Sequence, residues 1–182
     1  TSPVYPKQRT SISLSDREHA GEFVEHVLNA YNLKHVRRIP GHVVVIERVA
    51  YISHPRSKPD MTQRLLGNMR ELSLNLPSLF PKNNVTVQVV TLVNDTMRDQ
   101  IAAIRSAHVL IANHGAGLAH LLFLDAGAHA VELNCRHQFF PELAKWRRDI
   151  HHYCQWQESQ EGSISTQYWE HNVVSVVRQA VL

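Results

Sequence analysis

The stretch from position 108 to 133 constrains the fold more than any other part of the chain. Residues 108–112, His-Val-Leu-Ile-Ala, form an apolar run too short for a helix. The turn Asn113-His114-Gly115-Ala116-Gly117 follows, then an apolar segment over 118–123, a turn at Asp125-Ala126-Gly127 and a second apolar run at 128–133. A strand, a tight glycine turn, a helix and a strand in that order read as a crossover unit joining two parallel, buried strands. Glycines at the end of such a strand let the backbone approach a ligand closely. The helix start that follows offers unpaired N–H groups to an anion, for which a phosphate is the natural guest.

The remaining segments fit the same plan. Ser15 and Glu18 have capping-box spacing, and Phe23, Val24, Val27, Leu28 and Tyr31 continue at helical intervals, predicting a helix over 16–31. Pro40-Gly41 is a turn, and residues 42–53 read as one long or two short buried strands. A Pro-bounded basic loop spans 55–59, and Met61, Leu65, Met69 and Leu72 mark a second helix. Pro77 and Pro81 bound a loop, 85–93 is a strand, and Asp95 or Thr96 caps a third helix through Met97, Ile101 and Ile104. Pro141 marks a helix start, 150–156 a further strand and 173–181 an amphipathic terminal helix. Strands alternating with helices of this length predict an α/β fold, a Rossmann-like parallel sheet with helices on both faces. Residues 1–40 are expected to be a lead-in and linker helix, and 41–182 the Rossmann-like domain.

Composition narrows the function classes. The 182 residues carry a formal charge of +3, with no dense basic stripe interleaved with aromatics, so no nucleic-acid partner is expected. No apolar run approaches the roughly 20 residues of a membrane helix, so no membrane contact is expected in this segment. The chain starts at Thr1 rather than Met, the expectation being a fragment whose upstream part is missing. Cys135 and Cys154 can form one bridge in an oxidising compartment or remain two buried thiols. Asn84-Val85-Thr86 and Asn94-Asp95-Thr96 are glycosylation sequons. His151, His152 and Cys154 suggest a metal, but adjacent strand residues point to opposite faces, and no metal site is expected. The dinucleotide fingerprint would need a glycine where His120 stands, and neither a Walker A lysine nor a Gly-x-Ser-x-Gly elbow occurs.

The longer string is more specific. Asn113-His114-Gly115-Ala116-Gly117-Leu118-Ala119-His120-Leu121-Leu122-Phe123-Leu124, with Gly127-Ala128 and Val131-Glu132-Leu133, resembles the signature of glycosyltransferase family 61. Arg48-Val49-Ala50-Tyr51-Ile52-Ser53 and the loop to Lys58 look like the family's Arg-rich segment, and Asp99-Gln100 match its Glu-Gln pair. Asn134-Cys135, residues 140–144 and His152-Tyr153 look closest to the EGF-domain-specific O-GlcNAc transferase branch. Two positions depart: His54 stands where the family has Arg, and Ala119-His120 replaces an Asn/Thr pair.

The resemblance implies the C-terminal, donor-binding half of a GT-B fold, with the N-terminal half absent from this chain. The implied reaction is inverting transfer of a sugar, GlcNAc or a pentose, from a UDP-sugar to a hydroxyl of a protein or glycan acceptor. No cofactor is implied, no metal is strictly required, and the implied compartment is the lumen of the endoplasmic reticulum or Golgi. Charge on the departing diphosphate needs preorganised donors. His114 is the expected catalytic residue, with Arg56, Lys58, Asn113, Gly115, Ala116, Gly117 and Leu118 around the donor phosphates. Glu132 is expected either to hold ribose hydroxyls or to form a structural ion pair. Ser53, His54, Asp95 and Gln100 are further candidates, Asp95 also as a helix cap and Gln100 as part of a loop network. The rival reading is a non-catalytic nucleotide- or carbohydrate-binding module with the same fold.

Overall fold

Five short runs, four of them led by histidine or threonine and four rich in valine, isoleucine, leucine or alanine, line up side by side. In the computed structural model, which describes residues 14–49, 65–135, 139–147, 149–155 and 162–182, they are β1 (His42–Ile46), β2 (Thr86–Val90), β3 (Val109–Asn113), β4 (His129–Leu133) and β5 (His151–Gln155). All neighbouring pairs are parallel, in the order β2-β1-β3-β4-β5. β3 and β4 are buried at every position, as central strands covered on both faces must be. Strand order reverses between β1 and β3, and the crevice at such a reversal, outside the carboxyl ends, is where open α/β sheets bind ligands.

The helices are α1 (Leu14–Ala30), α2 (Met69–Leu74), α3 (Leu76–Leu79), α4 (Met97–Ser106), α5 (Phe139–Lys145), α6 (Thr166–Trp169) and α7 (Ser175–Val181). A 3₁₀ helix occupies Ala116–Phe123, and a wider π-helical turn, Glu170–Val174, joins α6 to α7. On one face of the sheet, Val43, Val45, Ile111 and Leu133 pack against Met69, Leu76, Trp169 and Val173. On the other, Val44, Leu110, Ala112 and Ala130 pack against Ile104, Leu118, Leu121 and Leu143. The Rossmann-like α/β expectation therefore holds. Outside the second layer, Val24 and Leu28 of α1 pack with Ile101 and Phe123. Among the described residues no helix is long and apolar enough to cross a membrane.

Boundaries differ from the sequence reading for physical reasons. α1 begins at Leu14, which places Ser15 within the helix rather than at its cap. β1 stops at Ile46, residues 47–49 belong to no strand, and 50–53 lie outside the described residues. The second helix starts at Met69, so Leu65 lies ahead of it and Met61 lies outside the described residues. Pro77 opens α3 instead of bounding a loop, because a first-turn proline gives up no helix hydrogen bond. The run 85–93 is interrupted at Leu92, which takes a left-handed φ of 60° that a strand cannot hold. Trp169 is core, Trp146 is partly exposed, and Trp156 lies outside the described residues.

Histidines gather at the amino-terminal edge of the sheet, opposite the crevice. His42, His129 and His151 each open a strand, and His108 precedes β3. The ring of His129 lies 4.7 Å from that of His151 and 5.9 Å from that of His108. Burial first, then the positive potential of His151, His108 and Arg38, push the His129 imidazole from 6.5 down to about 4. Between those values the unfolded chain holds the extra proton, so stability must fall as pH drops from 6.5 toward 4. After allowance for solvent screening, the expected loss is about 1–2 kcal/mol. Urea unfolding at pH 7, 5.5 and 4.5 should show it, and His129→Gln should flatten that part of the curve.

Candidate functional site

The crevice between β1 and β3 is a cleft of about 220 Å³. Its walls come from three strand ends: Glu47, Arg48 and Val49 after β1, Thr91, Leu92 and Val93 after β2, and the turn from Asn113 to Leu118 after β3. Complete small-ligand sites run to roughly 300–1,000 Å³, so this volume suits a phosphate or ribose better than a whole nucleotide sugar.

Gly115 lies close under Arg48. A Cβ on it would lie 3.1 Å from Cζ and from Nη1 of Arg48, so a side chain here would push the guanidinium back by a few tenths of an ångström. Arg48 Nη1 also donates to the carbonyl of His114 at 3.2 Å. Gly117 makes a similar fit, its added Cβ falling 3.3 Å from Leu92 Cδ1 and 3.4 Å from Ile46 Cγ2. The amides of Ala116 and Gly117 lie ahead of the bond from Leu118 N to Gly115 O at 2.9 Å that opens the 3₁₀ ladder. They stand at the helix end that favours an anion. Glu47 is drawn aside by Arg70, whose Nη1 donates to Oε2 at 2.6 Å. Among the described residues, Arg48 is the cation that lines the cleft.

His114, expected beside the donor phosphate, is not among the residues that line the cleft. Successive side chains at a strand end alternate: Asn113 lines the cleft and His114 turns to the opposite face. There His114 Nδ1 bonds Glu132 Oε1 at 2.5 Å, and Phe140 meets the ring edge-on at 5.2 Å. Glu132 Oε2 bonds His152 Nε2 at 3.1 Å, and Glu132 has no exposed surface at all. Both oxygens of Glu132 are thus engaged by histidine nitrogens behind the turn. Asn113 Oδ1 accepts from Asn134 Nδ2 at 3.1 Å, which ties the ends of β3 and β4 together.

Asn113, Gly115, Ala116, Gly117 and Leu118 line the cleft together. Asp95 is exposed and does not cap α4: Thr96 does, its hydroxyl accepting from Asp99 N at 3.2 Å. Gln100 supports the loop, with Nε2 donating to the carbonyls of Leu92 and Asp95, both at 3.0 Å. It thereby holds the left-handed Leu92 against the cleft. Ser53, His54, Arg56 and Lys58 lie outside the described residues. Arg48, Leu92 and His152 were not among the residues singled out for the site. Arg48 carried a usable signal, being a cation just past the strand adjacent to the glycine turn.

Cys135 and Cys154 form a disulfide, with Cα atoms 5.5 Å apart. This settles the open alternative between a bridge and two thiols, and pins the end of β4 to β5. The sulfurs and Glu132 come within 4.8 Å of one another, but the joined sulfurs offer no thiolate to an ion.

The sequence model described as Glycosyltransferase 61 matches residues 7–131, a span that contains the entire cleft. The chain belongs to glycosyltransferase family 61. The family 61 chain is 30% identical over 114 residues to a beta-1,2-xylosyltransferase of Arabidopsis thaliana, covering 58% of this chain and 21% of the relative. It is 26% identical over 115 residues to beta-1,2-xylosyltransferase RCN11 of Oryza sativa subsp. japonica, covering 60% and 21%. A third relative, protein O-linked-mannose beta-1,4-N-acetylglucosaminyltransferase 2 of Mus musculus, is 40% identical over 70 residues, covering 38% and 12%. The aligned region thus amounts to about one fifth of the two plant relatives' length. Glu132, His152 and the disulfide fall beyond the matched span.

Proposed function

We propose that this chain forms the nucleotide-sugar-binding domain of an inverting glycosyltransferase of GT-B type. It would pass a sugar, GlcNAc or a pentose, from a UDP-sugar to a hydroxyl of a protein or glycan. The observation that carries this reading is Arg48 resting on Gly115 beside the helix start at the β1/β3 reversal.

In the proposed reaction the acceptor oxygen attacks the anomeric carbon while the bond to the diphosphate oxygen breaks, and UDP leaves with the bonding pair. Charge growing on the leaving phosphate would be met by the Arg48 guanidinium and the amides of Ala116 and Gly117, donors fixed before the step occurs. His54, Arg56 and Lys58 of the basic loop are proposed to add to that field, so that no metal is strictly required. The base that takes the acceptor's proton is assigned to the N-terminal half of the GT-B pair, outside this chain. The proposed compartment is the lumen of the endoplasmic reticulum or Golgi. The Cys135–Cys154 bridge supports it, because such bonds persist in oxidising environments.

Calorimetric titration with UDP, UDP-GlcNAc and ADP tests the reading. Selective uridine binding is expected. Arg48→Ala should weaken it about 10- to 100-fold, the worth of one or two hydrogen bonds to a charged group. Equal affinity in the folded variant would remove Arg48 from the site.

A further inference from the structure

We propose that His152 and Glu132 are positioning residues that hold the glycine turn of residues 113–117 in place through the ring of His114. Any effect on nucleotide binding rests on the donor-site reading above, whereas the anchor itself does not.

An ionised carboxylate only accepts hydrogen bonds. In the proposed arrangement both ring nitrogens that face Glu132 donate to it: Nδ1 of His114 at 2.5 Å and Nε2 of His152 at 3.1 Å. A carboxylate set against an imidazole in this way fixes both the tautomer and the rotation of the ring. Full enclosure of Glu132 makes the arrangement stringent, since its oxygens have only protein partners. The far end is also braced, because Cys154 is the register partner of Glu132 and is bonded to Cys135. From the ring the constraint passes to the backbone: His114 N donates to Leu133 O at 2.8 Å, and His114 O receives Arg48. A rotated ring would shift the carbonyl that aims the guanidinium, together with Gly115 beneath it.

His152 is the member to change, because it lies at the outer end and lines an open cavity with Arg17 and Arg147. The experiment uses the chain labelled with ¹⁵N, read by long-range histidine correlation and by amide exchange, beside His152→Ala and His152→Gln. In the wild type, His114 Nδ1 should carry the proton. In His152→Ala, Glu132 keeps its bond to His114 Nδ1 but loses the donor at its other oxygen, so the carboxylate can turn. The Gly115 and Gly117 amides should then exchange about tenfold faster, and UDP should bind about tenfold more weakly. Gln, whose amide can still donate to Glu132, should restore both. A wild-type His114 with a bare Nδ1 overturns the proposal whatever the variants do. So does a folded His152→Ala that keeps the glycine exchange rates. If the tautomer and the exchange rates come out as expected but no form binds UDP, the anchor stands and the donor-site reading falls.

Discussion

Glu132→Ala should lower the unfolding free energy of the domain by about 3–5 kcal/mol, the cost of removing one partner from a buried charged network. The carboxylate has no exposed surface and both of its oxygens are engaged, one by each imidazole. Truncation leaves two ring N–H groups between the sheet and α5 without their acceptor, together with a cavity where the carboxylate stood. Against a total of roughly 5–15 kcal/mol for a domain, that is a large fraction. Glu132→Gln keeps the shape and one acceptor oxygen but turns an amide N–H₂ toward a ring N–H. Its cost should be smaller, about 1–3 kcal/mol. Urea unfolding of the three proteins at pH 7 checks both figures. A loss below about 1 kcal/mol for the alanine variant would mean that the two histidines find other acceptors.

Opening the Cys135–Cys154 bridge should cost about 3 kcal/mol, the loop-closure term for a sequence separation of 19. In a chain of this size that corresponds to a fall in Tm of about 6–12 °C. Among the described residues β5 lies at the sheet's end with β4 as its strand neighbour, so the bridge supplements that ladder. Thermal unfolding with and without reductant, beside a Cys135→Ser/Cys154→Ser double variant, gives the comparison. Reduced wild type and double variant should melt together, and an unchanged Tm in both would show that the ladder alone secures the edge.

The layer plan was legible because it rests on periodicity. The apolar runs at 108–112 and 128–133 fall within one residue of β3 and β4, and the 3₁₀ helix starts inside the glycine turn between them. Helix ends were harder to place. Leu92 adopts a left-handed backbone at a non-glycine residue, which no β-propensity predicts, and so the run 85–93 looked like one strand. The glycine turn lines the cleft, and the direction of His114 follows from strand alternation, which its position in the motif does not reveal. Arg48 was visible in sequence only as one member of a motif. Its importance arises from the β1/β3 neighbourhood, a long-range pairing that places it over Gly115, 67 positions later. The Glu132–His152 contact likewise needs the register of β4 against β5.

The most direct test of the donor site is an amide map of the ¹⁵N-labelled chain as UDP is added. The predicted result is a cluster of shifts at Arg48, Leu92, Gly115, Ala116 and Gly117, with the histidine edge at His108 and His129 silent. Shifts confined to that opposite edge, or none at saturating UDP in a folded sample, would contradict a uridine-nucleotide site at the β1/β3 crevice.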